Sequence, residues 1–198
     1  MDAKVGEKYL RTKAKILRAA ETVVARIGYD KAAVSEITAE AGVATGLFYY
    51  YFPNREELLN QLLPSIGEEL IDFIGHRVRP LEFGIEREIA SFEAYFDFLA
   101  QRPSFYRVFS EAQVYTPRAY ETHFRIIMDN YVAALKQQKR AGFIDAPDSH
   151  LLPLAYSLTG IRNYLTQLLA QQDPELKRAP RSFTRIYRQF LTKGVFVS

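Results

Sequence analysis

The chain has no cysteine among its 198 residues and only three histidines. The missing cysteines exclude disulfides and thiolate metal sites, and a reducing cytoplasm is the expected setting. His76, His123 and His150 lie far apart, without metal-ligand spacing, and no glycine-rich phosphate loop or nucleophile motif accompanies them. The sequence therefore predicts no metal and no cofactor, and it argues against an enzyme.

Long apolar runs are also missing. No apolar stretch of signal-peptide length follows the basic N-terminus, because polar residues interrupt "KAKILRAAETVVARIGYD" throughout. The most apolar segment, "LLPLAYSLTG", is shorter than a bilayer span and contains Pro153, Ser157 and Thr159. We therefore expect a soluble, cytoplasmic protein with no membrane partner.

The net charge of +3 is too small to indicate a polyanion partner by itself. Its distribution is uneven, because the first twenty residues hold six basic side chains against two acidic ones, Asp2 and Glu7. A phosphate backbone would attract such a segment, and it includes Lys8 and Arg11. A solvated helix end explains the same residues, so both interpretations stay open here.

Apolar residues recur three and four positions apart in about nine segments, which predicts an all-α fold. Three short helices within residues 1–53 precede longer helices within residues 54–198, which predicts a small N-terminal domain on a larger helical domain. Pro64 is expected to kink or interrupt the fourth helix, predicted from Arg55 toward Phe73. Near the C-terminus, Leu151 to Leu168 form a sustained apolar seam.

The segment "SEITAEAGVATGLFYYYF" has the layout of a helix-turn-helix, two short helices joined by a tight turn at Gly42. At about 100° per residue, the aromatic run of the third helix divides between two faces. One face holds Phe48, Tyr51 and Phe52, and the other holds Thr45, Tyr49 and Tyr50. A tyrosine on an exposed face can donate its hydroxyl to a phosphate oxygen. The pattern favours DNA binding, and the alternative is that all five aromatics only pack the domain.

Residues 16–59, "ILRAAETVVARIGYDKAAVSEITAEAGVATGLFYYYFPNREELL", resemble the DNA-binding domain of the TetR (tetracycline repressor) family. The matching positions are Ile16, Leu17, Ala20, Gly28, Tyr29, Ile37, Ala41, Gly42, Val43, Gly46, Tyr49, Phe52 and Leu58. The resemblance implies a helix-turn-helix domain at 1–53, a ligand-binding and dimerisation domain at 54–198, and a homodimer formed by the last two helices. It further implies a ligand-responsive regulator, a repressor of a palindromic operator. The alternative is a helical small-molecule-binding protein without specific DNA binding.

The resemblance also implies roles for individual residues. Base edges would be read by Ala44, Thr45, Gly46 and Leu47, phosphates held by Tyr49 and Tyr50, and the DNA backbone reached by Lys8, Arg11 and Arg55. The chain departs from the family pattern at Ala32, Ala33, Thr38 and Tyr51, which leaves Ser35 as a substitute phosphate contact. Because the reading face is so apolar, we expect thymine-methyl contacts and DNA shape to dominate recognition.

The larger domain has more aromatic residues than a single core face needs, which predicts a pocket for an apolar or amphiphilic effector. The candidates are Phe92, Phe96, Tyr106, Phe109, Tyr120, His123, Phe124, Ile127 and Arg162, with plain core as the alternative. Arg162 is a candidate anchor for an anionic head group, and equally for an ion pair across a dimer interface. By resemblance, ligand binding would swing the fourth helix and release DNA, with Pro64 as its hinge.

Overall fold

The computed structural model describes residues 3–172 and 180–193. Within these ranges the chain forms nine α-helices, one short 3-10 helix at Asp148–His150 and no strand, which confirms the all-α prediction. None of the helices so described is long and apolar enough to cross a membrane. The helices are α1 (Ala3–Ile27), α2 (Val34–Ala41), α3 (Thr45–Tyr51), α4 (Arg55–Val78), α5 (Ile85–Gln101), α6 (Phe105–Tyr115), α7 (Pro117–Arg140), α8 (Leu151–Gln172) and α9 (Arg181–Lys193).

The turn between α2 and α3 depends on Gly42, which has the left-handed φ of 57°. Its N–H donates to the carbonyl oxygen of Ala39 at 3.1 Å, and the N–H of Val43 donates to that of Thr38 at 3.0 Å. This pair of bonds is a Schellman motif, which satisfies the last carbonyls of α2 and turns the chain sharply. The predicted helix-turn-helix geometry therefore has its expected local cause.

Helix α4 continues through Pro64 as far as Val78, so the proline does not interrupt the helix, and the alternative of a kink stays a prediction. Proline removes one helical N–H and leaves the carbonyl of Asn60 without its usual partner. Leu62, Leu63 and Ile66, on both sides of the proline, are all buried. Their burial holds both turns in one element despite the missing hydrogen bond.

The chain divides into two compact units. The first contains residues up to Ile66 together with Ser104–Phe124, and the second contains Gly67–Pro103 together with the residues from Arg125 onward. The first unit thus holds α1 to α3, the beginning of α4, α6 and the beginning of α7. This division follows packing, so the functional boundary after residue 53 stays a prediction.

Helix α8 buries a different face from the predicted seam. Its buried residues are Leu151, Ala155, Leu158, Thr159, Arg162, Thr166 and Leu169. Leu151 and Leu158 belong to both sets, but Leu168 of the seam is exposed. Apolar spacing does not mark this face, because it contains an arginine and two threonines.

Candidate nucleic-acid interface and ligand site

The aromatic run of α3 has two faces, as predicted. Phe48 and Phe52 are fully buried, with ring centroids 5.8 Å apart. Tyr49 and Tyr50 are 54% and 70% exposed. Tyr51 is half-buried, at the edge between the two faces. The buried phenylalanines pack the helix against the domain, and the exposed tyrosines are accessible for contact with another molecule.

Tyr9 of α1 also belongs to this surface, although it is not among the predicted DNA contacts. Its ring centroid lies 4.8 Å from that of Tyr51 and 6.0 Å from that of Tyr50. One turn further along α1, the ammonium of Lys13 lies 5.6 Å from the centre of the Phe52 ring. The signal was present in the sequence, since Tyr9 and Lys13 extend the buried stripe of Ile16 toward the N-terminus.

The remaining predicted DNA contacts of α1 to α3 lie at the surface. Ala44, the N-cap of α3, has extended backbone geometry. The residues that are exposed are Lys8, Arg11, Ser35, Ala44, Thr45, Gly46 and Leu47. Their roles stay predictions, but burial excludes none of them.

Arg55 is engaged within the protein. Its Nε donates to the carbonyl oxygen of Ala32 at 2.6 Å, and its Nη2 donates to those of Tyr29 and Asp30. Arg55 therefore braces the loop between α1 and α2. The predicted phosphate contact would have to use the N–H donors of its guanidinium that do not bind these carbonyls. Next to it, Asn54 caps α4 by accepting from the N–H of Glu57 at 2.8 Å.

Helix α6 clamps the C-terminal end of α1 within the first unit. Arg107 donates from Nη1 to the carbonyl oxygens of Ala25 and Arg26 at 2.8 and 3.1 Å, and from Nε to Glu111 at 2.7 Å. The other carboxylate oxygen of Glu111 accepts from the N–H of Tyr29 at 2.9 Å. The contacts of Arg107 and Glu111 with the backbone of Ala25, Arg26 and Tyr29 join residues about eighty positions apart, so no local pattern could predict them.

The predicted ligand residues divide between the two units. The first unit contains Tyr106, Phe109, Tyr120, His123 and Phe124, and the second contains Phe92, Phe96, Ile127 and Arg162. In the first unit, the ring of Phe109 lies 5.4 to 5.9 Å from those of Tyr120, His123 and Phe124. The candidates therefore form two aromatic groups, each inside its own unit.

His123 is neutral and structural in its surroundings. Its Nδ1 lies 3.1 Å from the carbonyl oxygen of Leu63 and must carry the proton, because a carbonyl can only accept. Burial lowers the pKa of His123 to about 4, against the opposing effect of that hydrogen bond. The imidazole is therefore uncharged at neutral pH.

In the second unit, Arg162 pairs with a carboxylate of its own chain. Its Nη2 lies 2.8 Å from Oε1 of Glu88, and its side chain is almost fully buried. The same oxygen accepts the hydroxyls of Tyr131 at 2.5 Å and Tyr187 at 2.6 Å. We call these four residues the Glu88 cluster. The predicted ion pair across a dimer interface is replaced by one within the subunit, because Glu88 of α5 faces α8 in the core.

Aromatic rings border the Glu88 cluster. The rings of Phe92 and Tyr187 are stacked with centroids 4.0 Å apart, and Phe96 lies 5.0 Å from Phe92. Across residues 3–172 and 180–193, no three carboxylate or imidazole groups converge in a way that could hold a metal ion. The chemistry available here is therefore hydrogen bonding, charge and apolar contact.

An all-helical chain with a Schellman turn between two short helices, and an exposed tyrosine face on the second of them, has the architecture of a helix-turn-helix DNA-binding domain. Comparison with known proteins identifies the family. Residues 16–62 match the sequence model of the bacterial regulatory proteins of the tetR family. Residues 16–62 therefore form a DNA-binding domain of the TetR family.

Among curated proteins, the chain is 46% identical over 57 residues to the uncharacterised HTH-type transcriptional regulator YvdT of Bacillus subtilis (strain 168). These 57 residues cover 29% of this chain and 27% of that protein. It is 32% identical over 85 residues to the fatty acid metabolism regulator protein of the same organism. These 85 residues cover 43% of this chain and 44% of that protein. The chain thus matches less than half the length of these relatives.

Two solved structures share the fold over nearly their whole length. FadR from Bacillus subtilis in complex with stearoyl-CoA has a TM-score of 0.75 at 20% identity, over 92% of this chain and 99% of that one. FadR from Bacillus halodurans has a TM-score of 0.77 at 21% identity, again over 92% and 99%. At these identities the likeness establishes the shared fold alone.

Proposed function

We propose that this regulator binds a palindromic operator as a homodimer, acts as a repressor, and leaves the operator when an apolar or amphiphilic small molecule binds. The observation that carries the proposal is the division of α3. Buried Phe48 and Phe52 hold the helix rigidly, while Leu47, Tyr49 and Tyr50 project outward. A short helix needs such anchoring to meet the major groove in one orientation.

Contact with DNA then follows from the chemistry of the exposed residues. Ala44, Thr45 and Leu47 offer methyl groups, which suit the methyl of thymine and cannot make bidentate hydrogen bonds to guanine. Tyr49 and Tyr50 donate hydroxyls to phosphate oxygens, and Lys8 and Arg11 supply charge. Sequence preference and salt dependence are thereby assigned to different residues and can be tested separately.

Dimerisation is assigned to α8 and α9. Along α8, Leu152, Tyr156, Tyr164 and Leu168 are exposed at multiples of four positions, with Gly160 at the centre of the stripe. A side chain added at Gly160 would meet open space within the subunit. Ridges at four-residue spacing pack against the same ridges of a second helix. Ile186 and Phe190 of α9 are likewise exposed one turn apart.

The effector is assigned to the helical body. The structural neighbour from Bacillus subtilis holds stearoyl-CoA, a long apolar chain with a polar end. In this chain, the second unit combines the aromatic residues Phe92 and Phe96 with the polar Glu88 cluster. A site of both characters supports an amphiphile rather than a purely apolar molecule.

The DNA assignment is tested by fluorescence anisotropy with DNA from upstream of the chain's own gene. Tyr49→Phe should weaken binding by about 1.5 kcal/mol per half-site, more than tenfold, because it removes a hydrogen bond to a charged oxygen. It should leave the salt dependence unchanged, whereas Lys8→Ala should reduce the slope of log K against log salt by about one.

Tyr115→Phe is the matched control, since Tyr115 is exposed to a similar degree, 52%, but lies on α6. Equal losses in Tyr49→Phe and Tyr115→Phe would contradict the assignment of α3. Binding that does not distinguish the upstream DNA from random DNA would favour the helical ligand carrier without specific DNA binding.

The dimer is tested by sedimentation equilibrium. Tyr164→Lys on the α8 stripe should produce a monomer, because it places a charge in an apolar interface. Val114→Lys is the control, since Val114 on α6 is 75% exposed against 76% for Tyr164. A wild-type chain that sediments as a monomer at working concentration would refute the dimer.

A further inference from the structure

The Glu88 cluster is electrically balanced. The Oε1 atom of Glu88 accepts three donors, from Tyr131, Arg162 and Tyr187, at 2.5 to 2.8 Å. An oxygen surrounded by donors in this way belongs to an ionised carboxylate, which offers acceptors only. The guanidinium of Arg162 is the one cation of the cluster, so the two charges cancel.

The tyrosines add no charge to this balance. Burial raises the pKa of Tyr131 and of Tyr187 above the ordinary range, with Arg162 opposing the shift in both cases. Both phenols therefore stay protonated and donate to Glu88. The guanidinium lies 4.8 Å from the ring of Tyr131 and 6.0 Å from that of Phe92, so its faces meet aromatic surface.

Two donors on the buried face of α8 have no acceptor among the described residues: Nε of Arg162 and Oγ1 of Thr159. The two residues are only 5% and 8% exposed. A helical threonine commonly donates to the carbonyl four residues back, and Thr166 does so to Arg162 at 2.9 Å. Thr159, three positions before Arg162, makes no such bond. The face therefore presents polar atoms that call for an acceptor from outside the described residues.

We propose that Arg162 and Thr159 bind the polar end of the effector, and that this end is an uncharged acceptor, such as the carbonyl oxygen of an ester, thioester, amide or ketone. A carbonyl oxygen has two lone pairs and can accept from both donors. A carboxylate would meet a guanidinium that Glu88 has already neutralised, and would lie beside a second negative charge in a poorly screened interior. Glu88 is thus a specificity-determining residue that rejects carboxylates.

This inference rests on the proposed function only in assuming an amphiphilic effector. It replaces the expectation that Arg162 anchors an anionic head group, because the anion that Arg162 needs is supplied by α5. The rings of Phe92 and Phe96 beside the cluster remain available to the apolar part of the molecule.

The wild-type full-length chain tests the charge preference directly, without DNA. Binding is measured by isothermal titration calorimetry with two matched pairs of probes below their critical micelle concentrations: decanoate with methyl decanoate, and hexadecanoate with methyl hexadecanoate. In at least one pair the ester should bind tenfold or more tightly than the carboxylate, which corresponds to about 1.4 kcal/mol. Equal binding, tighter binding of the carboxylate, or no binding of any probe overturns the proposal.

Glu88→Gln should reverse the preference. Glutamine keeps an acceptor for the tyrosine hydroxyls but removes the negative charge, so the carboxylates should gain at least tenfold. Glu86→Gln is the matched control, two residues earlier on α5. Glu86 forms an exposed ion pair with Arg188, and its loss removes the same charge outside the cluster. Its variant should keep the wild-type preference.

Removing one member of a buried ion pair strongly destabilises a fold, so Glu88→Gln is accompanied by the double variant Glu88→Gln/Arg162→Gln, which restores neutrality. The double variant should still reject both carboxylates. A folded Glu88→Gln chain that continues to prefer esters overturns the inference.

The operator experiment separates this inference from the proposed function. Ester preference without specific DNA binding would support the charge filter and refute the regulator. Specific DNA binding with carboxylates bound as well as esters would do the reverse.

Discussion

Glu111 is expected to hold the end of α1 in place, and its replacement by alanine should destabilise the first unit by about 2 to 3 kcal/mol. The Oε2 atom of Glu111 accepts the N–H of Tyr29, a fully buried residue, at 2.9 Å. A hydrogen bond to a charged group contributes about 1.5 to 3 kcal/mol. The half-exposed pair with Arg107, four residues earlier on α6, adds about 0.5 kcal/mol.

The assay is urea denaturation combined with hydrogen exchange. The midpoint should fall without a change in slope, and the amide of Tyr29 should lose protection, because its N–H is left without an acceptor. Glu40→Ala is the control. It removes an exposed ion pair with Arg26, 3.2 Å long, and should cost less than about 1 kcal/mol. If Glu111→Ala costs no more than Glu40→Ala, or if Tyr29 stays protected, the clamp contributes nothing beyond surface electrostatics.

Three further predictions concern α3 and the aromatic group of the first unit. Phe52→Ala should lower the free energy of unfolding by about 3 to 5 kcal/mol, because it empties a fully buried site, and should abolish DNA binding by unfolding the domain. Circular dichroism would detect the unfolding, and a folded variant would contradict the anchoring role. Leu47→Ala should leave stability within about 0.5 kcal/mol but reduce the preference for thymine in selected operator sequences, and an unchanged preference would refute methyl readout. Because the pKa of His123 is about 4 when folded and near 6.5 when unfolded, the unfolded chain takes up the proton first on acidification. Stability should therefore fall between about pH 6.5 and pH 4, by up to about 3 kcal/mol, and His123→Phe should flatten that part of a pH series of urea midpoints.

The sequence was sufficient wherever a structural feature depends on neighbours along the chain. The start and end of α7 at Pro117 and Arg140 follow from local spacing and from the helix-ending Gly142. The bounds of α9, Arg181 and Lys193, follow from local spacing as well. The two faces of α3 follow from the helical period, since two residues make a rotation of about 200°, which separates exposed Tyr50 from buried Phe48 and Phe52. Spacing predicted a fourth helix that runs past Pro64, but it could not decide whether the proline interrupts that helix, because the answer depends on tertiary burial of the flanking residues.

The spacing of apolar residues along the chain could not predict contacts between residues that are far apart in sequence. Arg162 was recognised as unusual, but its partner Glu88 lies 74 positions away and carries no local mark. The same holds for Tyr29 and Glu111, which are 82 positions apart. The sequence therefore indicates a charged residue in an apolar helix more reliably than it predicts the partner with which that residue forms an ion pair or a hydrogen bond.

At four positions helix α8 reverses the ordinary arrangement of a surface helix, which buries apolar residues and exposes polar ones. Its buried face holds Thr159 and Arg162, each with a donor that has no acceptor in the described part of the chain, and its exposed face carries Tyr156 and Tyr164. Each reversal is unfavourable in an isolated subunit, since buried donors need acceptors and exposed aromatic surface is hydrated. Two separate partners would remove the two costs, an acceptor oxygen on the inner face and a second copy of the chain on the outer face. Because one helix carries both faces, an effector bound on the inner face and a second copy bound on the outer face would contact the same helix, which is the link that the proposed release from the operator requires.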